Sequence, residues 1–223
     1  MRRTLSSVII AGTFLAAPLG AQVIGLPVYN HGVGSGISVN GDIAFPNDKN
    51  FDANGTVYAV TGAFDVGPLG LTATLASGSP QDGDSHTSYG GTANFKLFGG
   101  PLIPIGISFQ AGAAWTKIPG ANLLGTDLDV LSVPVGVGVA LSIPTPGLSI
   151  KPWIAPRMQM TRTSGAADDT STDFGLSAGV NFGLLMGLNA RVAYDYFSHD
   201  GSKPSTWSIG AGWNFNVPGV PGI

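Results

Sequence analysis

Large apolar residues alternate with small or polar residues along much of the chain. The stretches 105–115, 174–182 and 207–215 each carry an apolar residue at every second position, with Gly, Ser, Asn, Gln or Ala between them. A period of two is the signature of a β-strand whose two faces meet different surroundings. A soluble β-sandwich would have a richly charged second face, whereas small uncharged residues suit the crowded interior of a barrel. The alternation therefore predicts an all-β fold closed into a barrel.

The same pattern predicts the number and order of the strands. About ten are expected, with eight as the alternative count, in a closed antiparallel up-and-down transmembrane β-barrel. Their predicted bounds are 34–46, 56–66, 69–77, 87–98, 103–117, 128–143, 148–163, 172–185, 188–198 and 205–217. Longer polar connections alternate with short ones rich in Gly or Pro, such as Gly67-Pro68 and Met186-Gly187. Long external loops and short periplasmic turns are typical of outer-membrane barrels, and this alternation predicts that both chain termini lie on the periplasmic side.

The composition favours a membrane environment for this barrel. Only 10% of the residues are charged, against about a quarter in soluble domains. The most apolar later stretch, 130–150, is interrupted by Pro134, Pro144 and Pro146, so it cannot form a spanning helix. A chain this apolar and without such helices can span lipid only as a closed barrel, because every backbone amide must be paired.

Residues 1–21 are predicted to be a secretory signal peptide. Arg2 and Arg3 form a basic start, 8–17 is an apolar run, and 18–21 supplies small residues for cleavage. The expected division is a signal peptide at 1–21 and a barrel domain at 22–223. The chain has no cysteine, which excludes disulfides, thiol catalysis and zinc–thiolate sites. Its net charge of −3 argues against nucleic acid as a partner, since phosphate binding needs a basic surface.

Aromatic residues with outward parity gather near the two ends of the predicted strands. Those near the long loops are Phe45, Tyr58, Tyr89, Trp115, Phe174, Tyr196 and Trp207, and those near the short turns are Phe64, Phe182, Trp213 and Phe215. Two aromatic belts around an aliphatic band are typical of a barrel seated between two lipid–water interfaces.

Charged residues with inward parity are predicted to form a network in the lumen. They are Asp42, Asp65, Lys96, Lys151, Arg157, Arg191 and Asp195. Acids and bases nearly balance, and buried charges are costly unless they are paired. A cluster of five is expected to close the lumen to ordinary solutes: Arg157, Arg191 and Lys151 with Asp42 and Asp195. Inward glycines such as Gly136, Gly175 and Gly210 are expected to leave at most a thin water path.

The last predicted strand carries the sharpest local motif, Ser208-Ile209-Gly210-Ala211-Gly212-Trp213-Asn214-Phe215. With the architecture of the whole chain, it resembles the small outer-membrane β-barrel family, which includes the porin and OmpA-type barrels. The resemblance implies that Ser208, Gly210, Trp213 and Phe215 form an assembly signal of the type polar-x-Gly-x-x-aromatic-x-aromatic. Such signals usually end the chain, whereas 216–223 follows here.

The resemblance also implies a location and a set of partners. It implies the bacterial outer membrane, contact with outer-membrane lipids, and delivery by periplasmic chaperones and the barrel-assembly machinery. A monomer is expected. The loops contain no motif that identifies an extracellular ligand, and no cofactor or metal is expected. Residues 50–55 partly match a calcium loop, but no Glu follows to complete it, and Asn54-Gly55 also suits a hairpin turn.

The leading functional hypothesis is a non-catalytic barrel that serves as a structural anchor or surface-binding scaffold through its external loops. The alternative is a narrow pore for small solutes. A remote alternative is an acyl hydrolase, because His86 and Ser88 resemble the His-x-Ser element of outer-membrane lipid A deacylases. That family orients its histidine with a Glu, and this chain has none.

Overall fold

Antiparallel strands make up nearly all of the computed structural model, which describes residues 23, 25–29, 36–47, 55–80, 85–100, 103–119, 127–165, 168–198 and 203–215. The strands are β1 (Gly36–Asn47), β2 (Gly55–Val66), β3 (Leu69–Pro80), β4 (His86–Gly100), β5 (Ile103–Ile118), β6 (Leu128–Leu141), β7 (Ile143–Thr145), β8 (Leu148–Ser164), β9 (Asp169–Gly183), β10 (Leu188–Ser198) and β11 (Ser205–Phe215). A 3-10 turn at Leu185–Gly187 precedes β10. Within these ranges, no helix has the length and apolar character needed to cross a membrane.

The strands close into a barrel through the pairing of the first strand with the last. Consecutive strands pair antiparallel except β6 and β7, which both pair with β8, and β1 pairs with β11. The short β7 continues β6 after a break at Ser142, so the described strands occupy ten positions around the barrel. The predicted closed antiparallel barrel of ten strands is confirmed. The predicted bounds differ at strand ends, since β3 continues to Pro80 and the predicted strand 128–143 is broken at Ser142.

The stagger of the strands is that of a tilted barrel. Following paired residues from Thr161 of β8 once around the barrel returns to the same strand at Ser149. For ten strands about 4.8 Å apart, this stagger corresponds to a strand tilt of about 40°. The tilt lies within the range usual for membrane-spanning barrels.

The two faces of the strands follow the predicted parity. In β1, Asn40, Asp42 and Ala44 are buried in the lumen, while Val39 and Ile43 are exposed on the outside. Apolar side chains remain exposed around the whole outer surface, and the buried side chains are mostly polar or small. A soluble protein has the reverse distribution of apolar and polar side chains. An apolar outer surface of this kind is stable when lipid surrounds it.

The barrel has a turn end and a loop end. At the turn end, Gly67 and Pro68 join β2 to β3, and Pro146 and Gly147 join β7 to β8. Gly67 has a φ of 57° and Gly147 a φ of 77°, which these tight turns require and which glycine adopts without strain. The longer connections at the loop end lie largely outside the described residues. So do the predicted signal peptide at 1–21, the candidate calcium loop at 50–54 and the tail at 216–223.

Candidate functional site in the barrel lumen

Two buried ion pairs lie along the inner face of the barrel wall, near the middle of the barrel. Arg157 of β8 donates from Nη1 and Nη2 to both carboxylate oxygens of Asp195 of β10, at 2.8 and 2.9 Å. Arg191 of β10 pairs in the same way with Asp42 of β1, its Nε lying 2.7 Å from Oδ1. The side chains of all four residues are at most 5% exposed. Each pair is bidentate, the geometry in which arginine binds a carboxylate most strongly.

Each arginine reaches its partner by passing over an intervening strand where a glycine leaves space. Gly175 lies beside Arg157 in the register of β8 and β9, and a Cβ added there would lie 2.7 Å from the Arg157 Cζ. Gly210 lies between Arg191 and Asp42 in the same way. The thin water path expected along the inward glycines therefore does not run past Gly175 and Gly210, where side chains occupy the space. Neighbouring charged side chains fill the space beside these glycines, because a side chain that crosses a strand needs a position without a Cβ.

The remaining inward charges lie elsewhere in the lumen. Lys151 shares a register row with Arg191 through Asn181, but its side chain is exposed at the turn end. It takes no part in either buried ion pair, so its expected place in the closing cluster is wrong. Asp65 and Lys96 are half-buried toward the turn end, and the Asp65 carboxylate lies over Gly70.

A segment that precedes the first strand fills much of the lumen. Residues 23 and 25–29, here called the plug segment, are all buried, although they belong to no strand. Gly25 lies beside Pro46 and Val57, near the loop end. Tyr29 lies deeper, and the segment therefore runs down the lumen antiparallel to β1.

The wall around the plug segment is lined with small apolar side chains. Val23, Leu26 and Tyr29 belong to one core cluster. Its wall residues are Ala44, Val57, Ala59, Ala76, Ala114, Trp153, Ala155 and Ala193. Barrel interiors are usually polar, so an inward ring of alanines is unusual. Alanine leaves room for a peptide that a larger inward side chain would exclude.

The two ion pairs also hold the plug segment. The Tyr29 hydroxyl donates to the Ser208 Oγ at 2.7 Å and shares the same proton with the Asp42 carboxylate. The Arg191 guanidinium lies 3.8 Å from the centre of the Tyr29 ring, a cation–π contact. Higher in the lumen, the Val28 backbone N–H donates to Asp195. The charged groups thus orient the segment, and the segment in turn satisfies the Asp42 and Asp195 carboxylates.

The plug segment is held by a small net free energy. Burying the side chains of Val23, Leu26, Val28 and Tyr29 contributes about 1.5–3 kcal/mol each. Fixing the backbone costs about 1–2 kcal/mol for each ordered residue of the segment. The two contributions nearly cancel, so the few directed contacts of Tyr29 and Val28 decide whether the segment stays in place.

The wall of β4 to β8 carries uncharged polar groups. Asn94 and Gln110 face each other across β4 and β5 and are almost fully buried. The Gln110 amide and the Asn94 Oδ1 have no hydrogen-bond partner among the described residues, and the same holds for the hydroxyls of Ser132 and Thr161. Buried polar atoms without a protein partner are costly unless water or a polar ligand meets them. This side of the lumen is suited to water.

The structure describes no hydrogen bond between His86 and Ser88. Both have inward parity near the loop end of β4, but the Ser88 hydroxyl hydrogen-bonds the Thr116 hydroxyl at 2.6 Å. The His86 Nε2 is buried without a partner among the described residues. Nucleophilic serine chemistry needs a hydrogen bond from the serine to the histidine, and that bond is not formed. The described residues also contain no group of three side chains able to hold a metal ion.

The outer surface carries the aromatic residues of the two proposed belts. Those exposed on the outside are Phe45, Tyr58, Tyr89, Trp115, Phe174, Trp207, Phe64, Trp213 and Phe215. Tyr196 and Phe182 have the same outward parity and are half-buried. Trp115 donates from its indole to Asp129 at 3.3 Å, and Trp213 stacks on Phe215.

The proposed assembly signal in β11 has two faces with separate contacts. Trp213 and Phe215 lie outside, whereas Ser208 and Gly210 lie inside. Ser208 accepts the Tyr29 hydrogen bond, and Gly210 leaves space for Asp42. The inward-facing residues of the motif, Ser208 and Gly210, therefore take part in the contacts inside the lumen.

Sequence reasoning missed the plug segment. A signal was present, since Val23, Leu26, Val28 and Tyr29 form an apolar stretch before the first strand. Such a stretch requires burial, but it shows no alternation and is too short to be recognised as a strand.

Comparisons with known proteins agree with this architecture. A family model described as "Outer membrane protein beta-barrel domain" matches residues 55–215. The β domain of the Bordetella autotransporter Brka aligns with a TM-score of 0.56 at 14% identity, covering 82% of this chain and 100% of that chain. Neisserial surface protein A aligns with a TM-score of 0.41 at 16% identity, covering 82% and 100%. Ail of Yersinia pestis gives 0.38 at 16%, covering 82% and 99%. At these identities the similarity concerns the fold alone, and no curated protein sequence matches the chain.

Proposed function

Because the chain belongs to the family of outer membrane protein β-barrel domains, we propose that it is a closed, non-catalytic barrel that serves as a structural anchor or a surface-binding scaffold. Its location is the bacterial outer membrane, which the family implies. In this proposal the signal peptide is removed, and periplasmic chaperones and the assembly machinery deliver the chain to the membrane. The mature protein is a monomer surrounded by outer-membrane lipids, and its five loop-end connections face the cell exterior.

The filled lumen is the observation that carries this proposal. The plug segment and the two bidentate ion pairs occupy the middle of the barrel and its loop-end half. An open pore needs a continuous aqueous path, which a buried apolar peptide interrupts. The hydrogen bond of the Ser88 hydroxyl to Thr116, and not to His86, supports the non-catalytic part of the proposal.

Electrical recording tests the closed state. The refolded wild-type protein should show little or no steady conductance in a planar lipid bilayer, because the plug segment and ion pairs block the aqueous path. Inserted protein is verified in the same membranes by its heat-modifiable migration on SDS gels. Large and stable channels from the wild type would instead establish the narrow-pore alternative.

Cysteine labelling tests the orientation of the scaffold. The chain has no cysteine of its own, so single substitutions report one site each. Gly83→Cys and Ala121→Cys at the loop end should react with a membrane-impermeant thiol reagent on intact cells. Pro68→Cys and Pro146→Cys at the turn end should react only after the outer membrane is opened. Equal labelling of both groups on intact cells would contradict the orientation.

A further inference from the structure

We propose that the loop-end half of the lumen is a binding site for a short, uncharged, largely apolar peptide that ends in tyrosine. In this chain the plug segment fills the site and can be displaced, and its release opens an aqueous pore. The inference deepens the proposed function and rests on it, since it explains how the closed state is maintained.

The site matches the chemistry of the segment that occupies it. The sequence from Val23 to Tyr29 contains no charged residue, and its apolar side chains lie against the ring of inward alanines. At the deep end, Trp153 contacts the Tyr29 ring edge-on with 6.3 Å between ring centres. The Arg191 guanidinium lies over the same ring, and the Ser208 Oγ accepts a hydrogen bond from the Tyr29 hydroxyl. These three contacts form a pocket for tyrosine at the bottom of a pocket for aliphatic side chains.

The plug segment can leave without disturbing the barrel. The strand ladders run continuously around the wall through β1, β11 and β10, and the plug segment pairs with none of these strands. Both ion pairs join one wall strand to another, so they remain formed when the segment departs. Release must break the directed contacts of Tyr29 and Val28 and separate the apolar side chains of the segment from the wall.

The lumen that remains after release is suited to water. Uncharged polar groups line one side, including the unpartnered atoms of Asn94, Gln110, Ser132 and Thr161. The two ion pairs each carry one positive and one negative charge, so they impose no net charge on the middle of the pore. The opened barrel should therefore discriminate only weakly between cations and anions.

Planar-bilayer recording of a variant that lacks residues 23–29 tests this inference. Its conductance should rise at least about tenfold over the wild type, because ten strands enclose more space than the inward side chains alone fill. The reversal potential in a salt gradient should stay near zero. A synthetic peptide of residues 22–30 should then reduce the conductance, and the same peptide with Tyr29→Ala should reduce it much less.

The outcomes separate this inference from the proposed function. Steady wild-type channels overturn the closed-barrel function, whereas a silent wild type with a silent, folded deletion variant overturns the plug. An open deletion variant that the peptide does not block overturns the binding site.

A second measurement covers the case in which the deletion variant does not fold. Leu26→Cys in the full-length chain should react slowly with a soluble thiol reagent, because Leu26 is 4% exposed. An excess of the 22–30 peptide should accelerate that reaction through competition for the site. Pro146→Cys at the exposed turn is the matched control and should be unaffected by the peptide. A rate at Leu26→Cys that the peptide leaves unchanged overturns displaceability.

Discussion

Replacing Arg157 with methionine is expected to lower the free energy of unfolding by about 3–5 kcal/mol. The substitution leaves the Asp195 carboxylate buried, with the Ser177 hydroxyl and the Val28 N–H as its remaining partners among the described residues. Removing one member of a buried, bidentate pair exposes the full cost of desolvating the other. Urea titration of the protein refolded in lipid vesicles measures the change.

Two further variants show whether burial causes the effect. Lys117→Met breaks an ion pair with Asp127 that is also short, at 2.7 Å, but whose side chains are 58% and 44% exposed. Exposed pairs contribute about 0–1 kcal/mol, so this variant should be nearly neutral. Adding Asp195→Asn to Arg157→Met should recover much of the loss, because the stranded charge is removed. A loss at Arg157→Met no larger than that at Lys117→Met would mean that the lumen pair is solvated.

The strand pattern could be predicted closely because the barrel imposes one rule on every strand. Each strand separates lipid from lumen, so apolar residues alternate with small or polar residues over 105–115 of β5 and 207–215 of β11. The same rule identified Arg157, Arg191, Asp42 and Asp195 as inward. Errors arose where the rule does not act, at strand ends and at Ser142, where the ladder with β8 is interrupted between Ala140 and Ile143.

The pairing of the inward charges required the structure. Asp42 and Arg191 are far apart in the sequence, and β11 lies between them in the barrel. The alternation along each strand predicts that both side chains face the lumen. Which residues lie side by side on neighbouring strands depends on the register, which the sequence does not give. Lys151 shows the limit, because it has the correct parity and row and still extends to solvent at the turn end.

The plug segment could not be predicted from the alternation of apolar and polar residues, for a different reason. A segment that packs inside a closed wall needs no amphipathic period, since every side of it is buried. The inward alanines that accommodate it were visible as small residues, but small residues also suit a narrow, empty or wet lumen. Only the position of the segment in the structure distinguishes a lumen that holds a peptide from one that is narrow, empty or filled with water.

Glycine-to-alanine substitutions are expected to act in opposite directions at Gly175 and Gly62. At Gly175 the new Cβ would lie 2.7 Å from the Arg157 Cζ and 2.9 Å from its Nη2. The guanidinium cannot move aside without breaking its bonds to Asp195 and Ser177. The substitution should therefore lower the free energy of unfolding by about 1–3 kcal/mol through overpacking.

At Gly62, on the outer face of β2, a Cβ would meet nothing within 4 Å. Alanine there restricts the unfolded chain without straining the folded one, which should raise the free energy of unfolding by about 0.4–1 kcal/mol. Both variants are compared with the wild type in urea titrations in the same vesicles. Equal effects would show that Gly175 is a generic small residue of the strand. Opposite effects would support the view that glycine is required at Gly175 because the Arg157 side chain must cross β9 at that point to reach Asp195.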